Sequence, residues 1–165
     1  AEDLGYMTDS VKRLVEESGY PNMKVLEFAF DSRDSSGAGD YLPHNYTHNC
    51  VVYTGTHDND TVMGWYDTLK GADKKLCDDY LRLKNADGEP IPREQLPWEF
   101  VRAAMSSVAD LAIIPMQDYL ELDSSARINT PSTLGCNWKW RMDKNALDPK
   151  LAKKIYKMAK LYARV

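Results

Sequence analysis

The chain has little cysteine, no long apolar run and almost no charge imbalance, and each lack removes a class of protein. Its three cysteines, Cys50, Cys77 and Cys136, are odd in number, far apart and without Cys-x-x-Cys spacing. That supports neither a disulfide framework nor a zinc site. They read as reduced, small buried hydrophobes in a cytoplasmic protein. No apolar stretch approaches the roughly 20 residues of a membrane span, and no signal-peptide pattern opens the chain. A net charge of −4 and a pI near 5.4 give no electrostatic reason to expect nucleic acid or a membrane as partner. Internal repeats, low-complexity tracts and a Gly-x-Ser-x-Gly elbow are also missing. What is present is balanced: 165 residues, 43% hydrophobic and 28% charged, enough for one domain with a real core.

Periodicity divides the chain into short apolar strands and amphipathic helices. Thr8 is placed to cap a helix carrying Val11, Leu14 and Val15 that stops at Gly19. Residues 23–30, 50–54 and 111–116 are short, β-branched or aromatic runs and predict strands. The segment from Asp31 to Asn49 is long and polar, which suits a binding loop or lid. Helical patterns follow over 62–69, through Leu76, Tyr80 and Leu83, and from about Pro97. Asp148-Pro149 opens a last helix with Leu151, Ile155, Met158 and Tyr162 on one stripe. The order is an α/β one with parallel strands that end in polar residues.

The densest chemistry lies in Val51–Thr61, where a buried strand breaks into Thr-Gly-Thr and then His57, Asp58, Asn59 and Asp60. Ligands and catalytic groups sit beyond the carboxyl ends of parallel strands, so this is where chemistry belongs. Asp58 suits acid/base or charge-stabilising work. Asp58, Asn59 or Asp60 would equally serve as the cap of the helix starting near Thr61. A metal-dependent hydrolase using His57, Asp58 and Asp60 is a further reading, although this spacing matches no standard ligand motif and calls for ligands such as His44 or His48 from elsewhere. Glu2 and Asp3, on local grounds, are a solvated end. Four tryptophans and ten tyrosines supply aromatic faces of the kind that stack on sugars or, more commonly, fill a core.

Seven motifs in register go further. They are Ala1-Glu-Asp-Leu-Gly5, Pro21–Phe30, Tyr41-Leu-Pro-His-Asn-Tyr46, Tyr53–Thr61 with Gly64-Trp65, Pro115-Met-Gln-Asp118, Ala126-Arg-Ile-Asn-Thr-Pro131 and Asn137-Trp-Lys-Trp-Arg141. Together they resemble the C-terminal third to half of the amylomaltase-type 4-α-glucanotransferases, glycoside hydrolase family 77. The resemblance implies that residues 1–165 are the C-terminal part of a (β/α)₈ TIM barrel, strands six to eight with their helices. It implies a retaining transfer between α-1,4-glucans such as maltooligosaccharides, with no cofactor and no metal. Glu2 then matches the acid/base, and Asp58 the carboxylate that stabilises the transition state. His57, Asn59, His44, Asn129 and Pro131 fall in substrate-binding positions. The family nucleophile belongs to an Arg-x-Asp motif upstream of Glu2, so a chain that opens at Ala1 is expected to be a fragment. Alone it should be catalytically silent and at most bind glucans. Ile128 and Ser132 stand where the resemblance leads one to expect Met and Gly. A partial barrel should also expose apolar surface or self-associate through open sheet edges, with the missing N-terminal part as its natural partner.

Overall fold

The computed structural model describes residues 8–31 and 38–165. Helix α1 (Asp9–Ser18) begins at Thr8, whose hydroxyl accepts from the Val11 N–H, and ends at Gly19 with φ 69°. That left-handed residue is the ordinary way to stop a helix. Three strands follow, β1 (Asn22–Val25), β2 (Cys50–Tyr53) and β3 (Leu111–Ile113). They form one parallel sheet in the order β1-β2-β3, with Met23 opposite Val51 and Val51 opposite Leu111.

The helices between β2 and β3 are α2 (Val62–Thr68), α3 (Gly71–Leu81) and α4 (Leu96–Ser106). They build the main core with Val52, Leu26 and Phe30. Phe30, Trp65 and Phe100 meet ring to ring there, at centroid separations of 5.7–6.1 Å. On its other side α4 presents Trp98, Val101 and Met105 to the one-turn helix α5 (Met116–Tyr119) and to α6 (Pro149–Leu161). Asp148 caps α6 by accepting from the N–H groups of Lys150 and Leu151. The Arg164 guanidinium then donates to the carbonyls of Met105, in the last turn of α4, and of Ser107 and Ala109 just past it, acceptors the helix leaves without a partner.

Helices therefore cover one face of the sheet. The opposite face carries Met23, Val51 and Leu111, then Val25, Tyr53 and Ile113, by the pairing register and the two-residue period of strands. Leu111 and Ile113 there remain 55% and 48% exposed. Val25 and Val51 on the same face are buried, so the exposed apolar surface on this face is concentrated on β3, where a parallel sheet would ordinarily be covered. The architecture is an α/β arrangement with a small three-stranded parallel sheet.

Several expectations need correction. The first strand stops at Val25, and Leu26–Phe30 winds into a 3₁₀ helix. Leu26, Glu27, Ala29 and Phe30 are all buried, a pattern that no alternating strand can satisfy, so packing overrides β propensity. The last strand stops at Ile113 and not at 116, because Pro115 has no N–H for a ladder and instead precedes α5. Leu83 lies beyond α3, which ends at Arg82 with φ 57°. Cys136 is exposed, whereas Cys50 and Cys77 are buried as expected. Among the described residues no helix is long and apolar enough to cross a membrane.

Candidate active site

The polar turn after β2 is built from its own side chains. Asn59 Oδ1 accepts from the Thr56 N–H at 2.9 Å and from the Thr56 hydroxyl at 2.8 Å, closing the loop around His57 and Asp58. The helix that follows is capped by Thr61, whose hydroxyl accepts from the Gly64 N–H. The expected capping by Asp58, Asn59 or Asp60 is thus replaced by Thr61. Asp60 supports the turn instead: its carboxylate accepts from the Thr61 N–H at 2.7 Å and from the Ser124 hydroxyl at 2.7 Å. Gly64 is required here, since a Cβ at that position would lie 2.1 Å from Ser124 Oγ and 2.8 Å from Asp60 Oδ2.

Asp58 is released from capping and points its half-exposed carboxylate to the site. Its Oδ1 lies 3.2 Å from His57 Nε2 and accepts from Asn129 Nδ2 at 2.6 Å. Arg127 braces the same point, donating to the Asp58 carbonyl at 2.7 Å and to the Asn129 carbonyl at 2.9 Å. One carboxylate is therefore oriented by an imidazole, a carboxamide and a guanidinium-held backbone. It opens onto a cleft of about 760 Å³, lined by His57, Asp58 and Asn59 together with Phe28, Tyr53, Ile113, Gln117 and Pro131. Such a cleft, apolar and aromatic with a few convergent polar groups, is the usual form of a small-molecule site.

Beneath the turn lie two acids that local sequence reading leaves unassigned. Asp118, 2% exposed, accepts from the Thr54 hydroxyl and from the Val62 N–H, joining the end of β2 to the start of α2. Burial pushes its carboxyl up to about 6, against the opposing effect of those two bonds. Glu27 is buried under Gly55, where a Cβ would come within 2.7 Å of Glu27 Oε1. That oxygen has no hydrogen-bond partner. Burial, then the nearby Asp118 and Asp60, raise the Glu27 carboxyl well above the ordinary glutamate range, while Arg127 and the bond from Asn59 oppose the rise.

A raised carboxyl makes Glu27 a pH-dependent burden on folding. Between the ordinary pKa of the unfolded chain and the higher folded value, unfolding releases a proton. The contribution of the neutral acid is fully present below the unfolded pKa and is lost as pH rises through the folded one. Glu27→Gln keeps the shape without titrating, so its stability relative to the parent should increase from pH 4 to pH 8. Urea melts at both pH values check this, and a stability difference independent of pH would contradict it.

The other sequence candidates divide. Asn129 joins Asp58 and Pro131 lines the cleft, whereas His44 packs on Tyr80 of α3, with its Nδ1 3.0 Å from the hydroxyl, and is not part of the cleft wall. Glu2 lies outside the described residues. Asp60 turns to Ser124 and Thr61 rather than toward His57 and Asp58. Among the described residues no group of three His, Cys, Asp or Glu side chains converges to hold a metal ion. Ser132, where the resemblance calls for glycine, has φ 62°, so the backbone keeps a glycine-like conformation with a serine in it.

The family model described as 4-alpha-glucanotransferase, glycoside hydrolase family 77, matches residues 1–147. The chain belongs to glycoside hydrolase family 77. This family 77 chain is 46% identical over 165 residues to the 4-alpha-glucanotransferase of Clostridium butyricum, covering 99% of the chain and 32% of that relative. The amylomaltase of Streptococcus agalactiae, solved in complex with acarbose, superposes with a TM-score of 0.84 at 36% identity, over 99% of this chain and 31% of that one. The Corynebacterium glutamicum amylomaltase, at 14% identity and a TM-score of 0.63 over 98% of this chain and 28% of its own, shares the fold. The chain thus spans about a third of the length of the relatives it matches.

Proposed function

We infer that the full-length protein is a retaining 4-α-glucanotransferase acting on α-1,4-glucans, with residues 1–165 as the C-terminal part of its catalytic (β/α)₈ barrel. In this reading β1, β2 and β3 are barrel strands six, seven and eight. The face carrying the exposed Leu111 and Ile113 turns to the barrel interior, and the open edges of β1 and β3 meet the rest of the barrel in preference to a second copy. The observation that carries the reading is the Asp58 carboxylate, at the C-terminal end of the central strand, oriented by Asn129, His57 and Arg127 at the edge of an aromatic cleft.

The chemistry follows from that placement. Cleaving a glycosidic bond builds positive charge on the anomeric carbon, and a fixed anion beside it lowers the barrier. Asp58 supplies that anion and His57 stands at the same cleft wall to contact sugar hydroxyls, while Asn59, its carboxamide engaged by Thr56 and Glu27, holds the turn in place beside them. Phe28 and Tyr53 offer faces for the apolar side of a glucose ring. Glu2 serves as acid/base. The nucleophile comes from upstream of it, about 5–5.5 Å away, as retention demands. Residues 1–165 alone should therefore bind glucan without turning it over. The cytoplasm suits a chain with an exposed free thiol at Cys136.

The decisive experiment gives the full-length protein maltotriose. Glucose and longer maltooligosaccharides should appear together, because transfer conserves the number of α-1,4 bonds. Glucose and maltose without longer products would mean hydrolysis, and binding without any product would mean a glucan-binding protein.

A further inference from the structure

Trp138 is singled out by two independent observations. Its backbone has φ 64°, in the left-handed region, where a bulky residue is an outlier held only by surroundings that over-determine it. Its side chain is 57% exposed, so ring burial does not offset that conformation. What the conformation achieves is a contact. The indole lies against the His57 imidazole, with centroids 5.1 Å apart and planes inclined by 37°.

That imidazole is one of two supports of a single oxygen. His57 Nε2 lies 3.2 Å from Asp58 Oδ1, and Asn129 Nδ2 donates to the same atom. The backbone N–H of Trp138 donates at 2.8 Å to the carbonyl of Ile128, next to Asn129. Residue 138 thus touches one support through its ring and is tied by its backbone to Ile128, the residue before the other. Its neighbour Asn137 braces the loop, donating to the carbonyls of Thr130 and Thr133. Trp138 is not part of the cleft wall, whereas His57 and Asp58 are, so its route to the chemistry runs through the imidazole.

We propose that Trp138 is a positioning residue for Asp58, setting the orientation of the His57 ring that flanks the carboxylate. This rests on the reading of Asp58 as the charge-stabilising group. A free imidazole has many rotamers, and each withdraws or misplaces the group beside Asp58 Oδ1. Stacking on an indole whose backbone is held at both ends, its N–H on the Ile128 carbonyl and its carbonyl by the Arg141 guanidinium at 3.1 Å, selects one of them. The strain at 138 is the structural cost of placing a ring where no ordinary backbone conformation directs it.

The test uses the full-length protein with maltotriose as substrate. Asn and Gly tolerate the left-handed conformation, so Trp138→Asn and Trp138→Gly remove the ring while relieving the backbone. Each should lower kcat roughly 10- to 100-fold, the loss that follows a small misplacement of a catalytic group. KM should change less than about twofold, and Tm should not fall. Trp138→Phe, which keeps a ring, should recover most of kcat. Parental kcat in the Asn and Gly variants would overturn the proposal. So would a rise in KM at unchanged kcat, which marks a substrate contact, or a loss of fold in both, which marks a folding determinant. Asp58→Asn measured alongside separates the two readings. If it leaves turnover intact, the assignment of Asp58 fails and this proposal falls with it. If it removes turnover while Trp138→Asn does not, the positioning role alone fails.

Discussion

Asp58→Asn in the full-length protein is expected to reduce maltotriose turnover by roughly 10²–10³-fold, the scale of losing one preorganised transition-state-stabilising group. The substitution is nearly isosteric, so its effect should be confined to charge. An asparagine carbonyl still accepts the bond that Asn129 Nδ2 makes to Asp58 Oδ1, and Arg127 still holds the backbone carbonyl of residue 58. The carboxylate is half exposed at the cleft edge, so little packing depends on it. Tm should stay within about 2 °C of the parent, since a surface substitution shifts stability by only about 0.5 kcal/mol. The loss should appear in kcat and kcat/KM alike, because the interaction belongs to the transition state and not to the ground state. Initial rates of glucose release, with a thermal melt of the same preparation, provide the measurement. Turnover within about fivefold of the parent, a difference of only about 1 kcal/mol in barrier, would remove Asp58 from the reaction.

The second large effect concerns folding. Asp118→Ala should destabilise the protein by about 3–5 kcal/mol, because two buried donors lose their acceptor at about 1–3 kcal/mol each and a small void is left. Those donors are the Thr54 hydroxyl and the Val62 N–H, in residues with no solvent exposure. Asp118→Asn retains an acceptor for one of them, and the threonine hydroxyl can turn to accept from the amide, so its cost should be nearer 1 kcal/mol. Urea denaturation of the three proteins at pH 7 gives the comparison. A cost under about 1 kcal/mol for the alanine variant would show that water or a neighbour replaces the carboxylate.

Much of this was legible in the sequence wherever the deciding interaction is local. Thr8, Gly19 and Asp148 end or begin helices through bonds to residues two or three positions away. The break from Val52 to the polar residues at 56–60 likewise marks a strand end without reference to anything distant. Leu26–Phe30 failed for the opposite reason. Its aromatic composition suits a strand, and only packing under α3 and α4 selects the 3₁₀ turn that buries four of its five residues. In the site, His57 and Asp58 could be found from their neighbours. The roles of Asp118, Arg127 and Trp138 could not, because their partners at Thr54, Asp58 and His57 lie 64 or more positions away. A usable signal existed for Glu27, a lone acid in the run Val25-Leu-Glu-Phe-Ala-Phe30. Charges inside apolar runs are seldom fully buried without a reason.

The grip of Arg164 on three carbonyls at and just past the end of α4 has a consequence for the order in which the cleft is assembled. Those bonds link residues 55, 57 and 59 positions apart, so each closes a long loop whose entropy must be lost before the bond repays it. The segment they hold leads directly into β3 and hence to Ile113 at the cleft wall. During synthesis β2 and its polar turn can emerge and close locally, whereas this part of the wall is secured only after residue 164 has left the ribosome. The turn that carries Asp58 therefore closes early, and the part of the cleft wall on β3, the strand beside it, is secured late.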